Sequence, residues 1–142
     1  VCSSDLSSSG ITEKKNQYQI LIIASLLEEE GKTMEDKRKI AGVLLRRTKV
    51  GMPLQVDATI NYIKGEASYV TFNDLELVSK YNTYRNKGLP PTPISNPGLT
   101  SIEAALSPID DGSLYYLTGK NGIFYFAKTF EEHKKNKELY LK

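Results

Sequence analysis

Three consecutive glutamates, Glu28, Glu29 and Glu30, close an otherwise apolar run, "IIASLLEEEG". Neighbouring carboxylates repel, and a carboxylate beside a hydrophobic core must be solvated, paired or protonated. At the edge of an apolar wall the charged form is disfavoured, so a glutamate pKa can climb from about 4.3 toward about 6. Such a group can donate a proton near neutral pH, which is what cleavage of a glycosidic bond asks of a general acid. The same pattern also suits a helix end that has reached water, and the pattern alone leaves both readings open.

Other chemistries find little support in the residues. The single histidine, His133, stands in a lysine-rich stretch, far in sequence from any serine or cysteine that it could activate. The segment "GKNG" lacks the strand–loop–helix setting of a phosphate cradle. One cysteine, Cys2, cannot form an internal disulfide, and one Cys with one His cannot build the usual zinc site, so no metal or cofactor is expected. A net charge of +2, without a basic stripe interleaved with aromatics, gives no reason to expect nucleic acid. The basic end "HKKNKELYLK" reads as a solvated helix face. The apolar run from Ile20 to Leu27 is far short of the roughly 20 residues that span a bilayer.

The elements that must position these groups can be read from periodicity and caps. Tyr18 to Glu30 is expected to form a buried helix, with Ile20, Ile23, Ala24 and Leu27 central to one broad face. Glu28 then falls near Leu21 and Ala24, Glu30 near Ile23 and Leu26, and Glu29 in the most polar sector. Thr33 with Asp36 predicts the start of a second helix that stops at Gly51. Thr100 with Glu103, and Thr129 with Glu132, predict two more in the same way. Between these, "LYYLT" and "IFYFA" joined by "GKNG" predict a hairpin. Tyr81 to Gly98 is proline-rich and reads as a long, stiff, ordered loop or a linker, with Tyr81 and Tyr84 favouring order. At 142 residues and 15.9 kDa the chain fits one domain. We expect an α+β fold, mainly helical, over residues 16–142, and a non-native or truncated, disordered N-terminus over residues 1–15.

Four stretches, "ASLLEEE", "KIAGVLLRRTKVGMPLQVDATINY", "YNTYRNKGLPPTPISNPGLTSIEAAL" and "FAKTFEEHKKN", resemble in order and spacing the catalytic domain of the MltG (YceG-like) endolytic murein transglycosylases. The similarity covers Tyr18 to Lys142. It implies a lysozyme-like catalytic domain that cleaves the peptidoglycan glycan strand between N-acetylmuramic acid and N-acetylglucosamine without water. The family's catalytic glutamate, carried over as the first acid after "AS" and two aliphatics, falls on Glu28, which would act as acid and then as base. Glu30 would support it from the groove. By looser analogy with other lytic transglycosylases, Gln55 and Asn82 would hydrogen-bond sugar substituents, with Asp57 beside them. Tyr81 and Tyr84 would pack on sugar faces or orient Glu28. Core packing for the tyrosines and a polar turn for Gln55 and Asp57 are the plain alternatives.

The resemblance also implies glycan strands as the binding partner, with peptidoglycan synthases as a candidate second partner. Full-length members resemble a membrane anchor, a LysM-like domain and this domain in series, so the expected location is the extracytoplasmic face of the bacterial membrane, with the anchor missing here. Ala58 departs from the proline that usually follows the aspartate in the family. Two rival readings stand beside this one. A hydrolytic muramidase would need a second carboxylate, for which Asp57 and Glu66 are the central candidates. A non-catalytic peptidoglycan-binding fragment would keep the groove without turnover.

Overall fold

The computed structural model describes the backbone of residues 3–141 and the side chains of residues 16–141. The expectation of a separate N-terminus falls in part on Val1 and Cys2, which lie outside the described residues. Five α-helices and one two-stranded antiparallel sheet make up the described chain, an α+β fold.

Helix α1, Ser3–Glu30, begins upstream of the start that apolar periodicity indicates. Its buried stretch is Ile22 to Leu27, including Ser25, while Tyr18 and Leu21 remain partly exposed. Helix α2, Met34–Val50, forms as the caps predict. Thr33 Oγ1 accepts from the Asp36 N–H at 3.1 Å, and Gly51 ends the helix at φ 76°, a left-handed conformation that glycine adopts at little cost. Ile40, Ala41, Val43 and Leu44 carry its buried face against α1. Gly42 lies where the chain after the fourth helix crosses α2, and a Cβ there would stand 1.9 Å from the Ile109 carbonyl oxygen.

Helix α3, Asp57–Lys64, escapes the sequence reading because its start has no side-chain cap. A tertiary contact replaces the cap: the Val56 N–H donates to Thr83 Oγ1 at 2.9 Å. Helix α4, Leu99–Leu106, has its N-cap at Gly98, whereas the capping pattern predicts Thr100 there. The acceptor for its first turn comes from Glu28 of α1, which takes hydrogen bonds from the Gly98 N–H and the Ser101 hydroxyl. A cap supplied by another helix leaves no local motif.

Between α3 and α4 runs an irregular segment with a 3-10 turn at Asp74–Glu76 and an isolated antiparallel bridge from Lys87 to Pro53. It is tied to the core at defined points, which answers the loop-or-linker alternative in favour of an ordered loop. Ile94 N–H donates to Ser25 Oγ at 3.1 Å, and Ser95 Oγ donates to the Ser25 carbonyl at 2.9 Å.

The hairpin pairs β1, Tyr115–Thr118, with β2, Phe124–Ala127, in the register Tyr115 to Ala127 and Thr118 to Phe124. Asn121 shapes its turn by accepting from the Ile123 N–H. Helix α5, Phe130–Tyr140, is capped by Thr129 as expected and lies on the hairpin through Tyr140, stacked on Tyr125 at 3.5 Å. Among the described residues no helix is long and apolar enough to cross a membrane.

Candidate functional site

The three glutamates leave the end of α1 in different directions and meet different surroundings. Glu28 turns toward α2 and α4. Its carboxylate accepts from Ser101 and Gly98, and Lys37 Nζ stands 3.5 Å away with its side chain only 9% exposed. The Ser101 hydrogen bond, with help from the Gly98 N–H and the Lys37 charge, holds the Glu28 pKa below the ordinary glutamate range. Such a carboxylate stays charged at neutral pH and fastens three helices together. Glu29 is exposed.

Glu30 is partly buried and faces the start of α3 and strand β1. Removal from water raises its pKa to about 7, and the negative charge of Asp57 pushes the same way. Hydrogen bonds from the Ala58 N–H and the Tyr116 hydroxyl, the latter at 3.4 Å, only partly offset that rise. It is therefore Glu30, and not the Glu28 indicated by the resemblance, that combines a site edge with a proton available near neutral pH.

Two clefts meet at Glu30 and Asp57. One, of about 540 Å³, is bounded by α1 and α3 and includes Glu29, Asn61, Tyr62 and Glu66. The other, of about 410 Å³, opens toward β1 and α5 and includes Arg47, Gln55, Tyr84, Tyr116 and His133. Glu28 lines neither.

Asp57, the first residue of α3, accepts a short hydrogen bond from the Tyr84 hydroxyl. Burial, and then that hydrogen bond with the Asp57 charge, raises the Tyr84 pKa, so the phenol keeps its proton. Tyr116 is likewise raised well above its ordinary value by burial, with Glu30 adding to the effect. Arg47 is buried beneath this wall. Its Nε donates to the Leu114 carbonyl at 2.7 Å, and its Nη1 donates to the Pro53 and Leu54 carbonyls at 3.0 and 3.1 Å. One guanidinium thus binds the loop after α2 to the start of the hairpin. Gln55, next along that loop, has φ 54° and is exposed on the cleft.

The remaining expected site residues are occupied elsewhere. Asn82 is fully buried, donates to the Leu75 and Leu77 carbonyls and accepts from the Tyr84 N–H. Its amide shapes the loop and has no reach to a sugar. Tyr81 shares a hydrogen bond with Thr92 and packs on Tyr62 at 4.9 Å, which is the packing alternative. Of the expected set, Glu30, Gln55, Asp57 and Tyr84 line one cleft together, while Glu28, Tyr81 and Asn82 do not line it.

Sequence reasoning missed Tyr116 and Arg47. Arg47 had a signal, since it continues the buried stripe of Ile40, Val43 and Leu44, where a solvated helix-end cation does not belong. Among the described residues no cluster of three or more His, Cys, Asp or Glu could hold a metal ion.

Comparison with known proteins agrees with the architecture. The family model described as the YceG-like family matches residues 4–139. An endolytic murein transglycosylase of Bacillus subtilis (strain 168) is 47% identical over 132 residues, which are 90% of this chain and 37% of that protein. One of Streptococcus pneumoniae (strain D39) is 36% identical over 126 residues, covering 83% of this chain and 23% of that protein. The chain thus spans well under half the length of these curated relatives. A yceG-like protein from Listeria monocytogenes, solved at 2.6 Å, superimposes with a TM-score of 0.79 at 40% identity, over 92% of this chain and 46% of that one. With its match running through nearly all of the described residues, the chain belongs to the YceG-like family.

Proposed function

We propose that this chain carries the catalytic centre of a peptidoglycan lytic transglycosylase, with Glu30 taking the role that the resemblance had given to Glu28. The observation that carries the reading is the position of Glu30. Among the three acids it alone stands where two clefts meet, with a pKa raised to about 7 between Tyr116 and Asp57. The names of the relatives support the reaction class.

The glycan strand would cross Glu30 with the bond between N-acetylmuramic acid and N-acetylglucosamine above its carboxyl group. Protonated Glu30 gives its proton to the glycosidic oxygen as the bond from the muramoyl C1 to that oxygen breaks. Positive charge grows on C1 and the ring oxygen, and the negative charge of Asp57, oriented by Tyr84, favours that charge distribution. The Glu30 carboxylate then takes the proton from the C6 hydroxyl while its oxygen closes on C1. One 1,6-anhydro end and one free N-acetylglucosamine end result, and Glu30 recovers its proton without water.

One observation favours a second reading. Asp57 shares both clefts with Glu30, so the second carboxylate that a hydrolytic muramidase uses is present. Mass spectrometry of muropeptides released by the purified chain separates the two. Anhydro ends, lighter by one water, support the transglycosylase, mainly reducing ends transfer the chain to the muramidases, and no cleavage leaves a binding fragment. An extracytoplasmic location at the membrane, glycan strands as substrate and synthases as partners follow from the same reading, for a longer protein of which this chain would be one part.

A further inference from the structure

Tyr69 and Phe72 are 88% and 90% exposed, although both sit on a loop with its own internal fastenings. Asp74 Oδ2 accepts from the Thr71 N–H at 2.9 Å and from Lys64 Nζ at 3.1 Å, and Lys64 also donates to Ser68 at 2.8 Å. The Thr71 hydrogen bond, with that of Lys64, holds the Asp74 pKa below its ordinary range, so the charge that anchors the loop persists at neutral pH. Behind it, the buried amide of Asn82 holds the Leu75 and Leu77 carbonyls. An aromatic pair fully open to water on a loop fixed at both ends is a prepared contact surface.

The surface leads to one place. A depression of about 440 Å³ runs from Tyr69 and Phe72 past Leu75 to Tyr84 and Asp57, and those last two residues also line the cleft that holds Glu30. We propose that this aromatic shelf is a saccharide subsite that takes an amino-sugar ring of the strand several ångströms along from the bond above Glu30. The apolar C–H face of the ring would rest on Tyr69 or Phe72. An acetamido N–H or a hydroxyl would donate to Asp57, whose carboxylate can accept more than the one hydrogen bond from Tyr84. The inference rests on the reading of the cleft as a glycan site, and it deepens that reading by saying where the strand continues.

Glu30→Gln protein provides a non-cleaving chain for calorimetric titration with soluble, uncrosslinked peptidoglycan glycan strands. Adding Tyr69→Ala with Phe72→Ala should weaken binding on the order of tenfold, while Tyr69→Phe keeps the affinity. Val78→Ala, equally exposed but outside the depression, should leave it unchanged. Sedimentation velocity run in parallel tests a protein contact as the alternative occupant. Unchanged strand affinity in the double variant overturns the shelf, as does a loss of self-association without a loss of strand binding. Absence of any strand binding by the Glu30→Gln chain, together with absence of cleavage by the unaltered chain, would instead remove the glycan reading and the shelf with it.

Discussion

The Tyr116 hydroxyl donates to Glu30 Oε2 at 3.4 Å, and so ties the end of α1 to strand β1. The contact is long for a hydrogen bond and favours the charged form only weakly. Desolvation and the Asp57 charge therefore win, and Glu30 stays partly protonated near neutral pH. A shorter bond would have fixed a carboxylate, as Ser101 and Lys37 do for Glu28 two residues earlier.

Exchange of each glutamate for its amide should separate their roles. Glu30→Gln is expected to fold normally and to lose about 10² to 10⁴ in cleavage rate, the usual contribution of a general acid and base. Glu28→Gln is expected to retain most turnover but to lose roughly 1 kcal/mol of stability, because Lys37 and the first turn of α4 lose a charged partner that is open to solvent on one side. Strand-cleavage rates and urea midpoints on both variants check this. A dead Glu28→Gln beside an active Glu30→Gln would reverse the assignment.

Stability should carry the signature of Glu30 as pH rises. Its folded pKa, about 7, lies above the ordinary glutamate value of 4.5, so the folded chain binds the proton more tightly than the unfolded one. The resulting stability is fully present below about pH 4.5 and is lost as pH climbs through 7. Between pH 5 and pH 8 the unaltered chain should fall relative to Glu30→Gln by on the order of 1 to 3 kcal/mol. Using the difference between the two chains cancels contributions they share, such as that of His133, whose pKa burial lowers. Urea titrations at the two pH values decide it, and parallel stability curves would count against a raised Glu30 pKa.

Arg47 offers a test of the frame around the site. Replacement by lysine keeps the charge but cannot reach the Leu114, Pro53 and Leu54 carbonyls together from one planar group. Buried carbonyls left without donors cost about 1 to 3 kcal/mol each. Arg47→Lys is therefore expected to lower stability by roughly 2 to 4 kcal/mol, well beyond the effect of Arg46→Lys, whose partner Asp110 lies at the surface. Thermal melts of the two variants, compared directly, would expose any error, since equal losses would mean that the fork geometry contributes nothing.

Local signals made much of this architecture legible. Thr33, Gly51 and Thr129 announced helix ends because the capping atoms lie within a few residues of one another, and the hairpin followed from two aromatic runs around a glycine-bearing turn. What stayed hidden depends on distant partners. The start of α4 is capped by Glu28, 70 or so residues earlier, and the start of α3 by Thr83. The differing surroundings of the three glutamates were hidden for the same reason. A helical wheel puts Glu28 and Glu30 on opposite flanks of one apolar face, but only the folded chain puts Lys37 and Ser101 beside the first, and Asp57 and Tyr116 beside the second.

Gln55 is set apart by its backbone. It is the one non-glycine residue with positive φ among the described residues, at 54°, a conformation that costs an L side chain roughly 1 to 2 kcal/mol. Its N–H donates to the Thr83 carbonyl at 3.2 Å, and Arg47 holds the two preceding carbonyls, so the surroundings impose the turn whatever residue stands there. The side chain itself is exposed on the cleft beside Glu30, and only a long contact of 3.4 Å joins its amide oxygen to Arg47. Under the proposed function, a strained residue at the cleft with little to do in folding makes its amide a candidate contact for the strand. Gln55→Gly should then relieve the strain, lose some of that gain to the greater freedom of the unfolded chain, and end within about 1 kcal/mol of the parent stability. Its KM for soluble glycan strands should nevertheless rise several-fold. A rise in KM with stability preserved assigns the amide to the strand. An unchanged KM would return Gln55 to the role of a turn residue, and a large loss of stability would show that the Arg47 contact matters more than its length suggests.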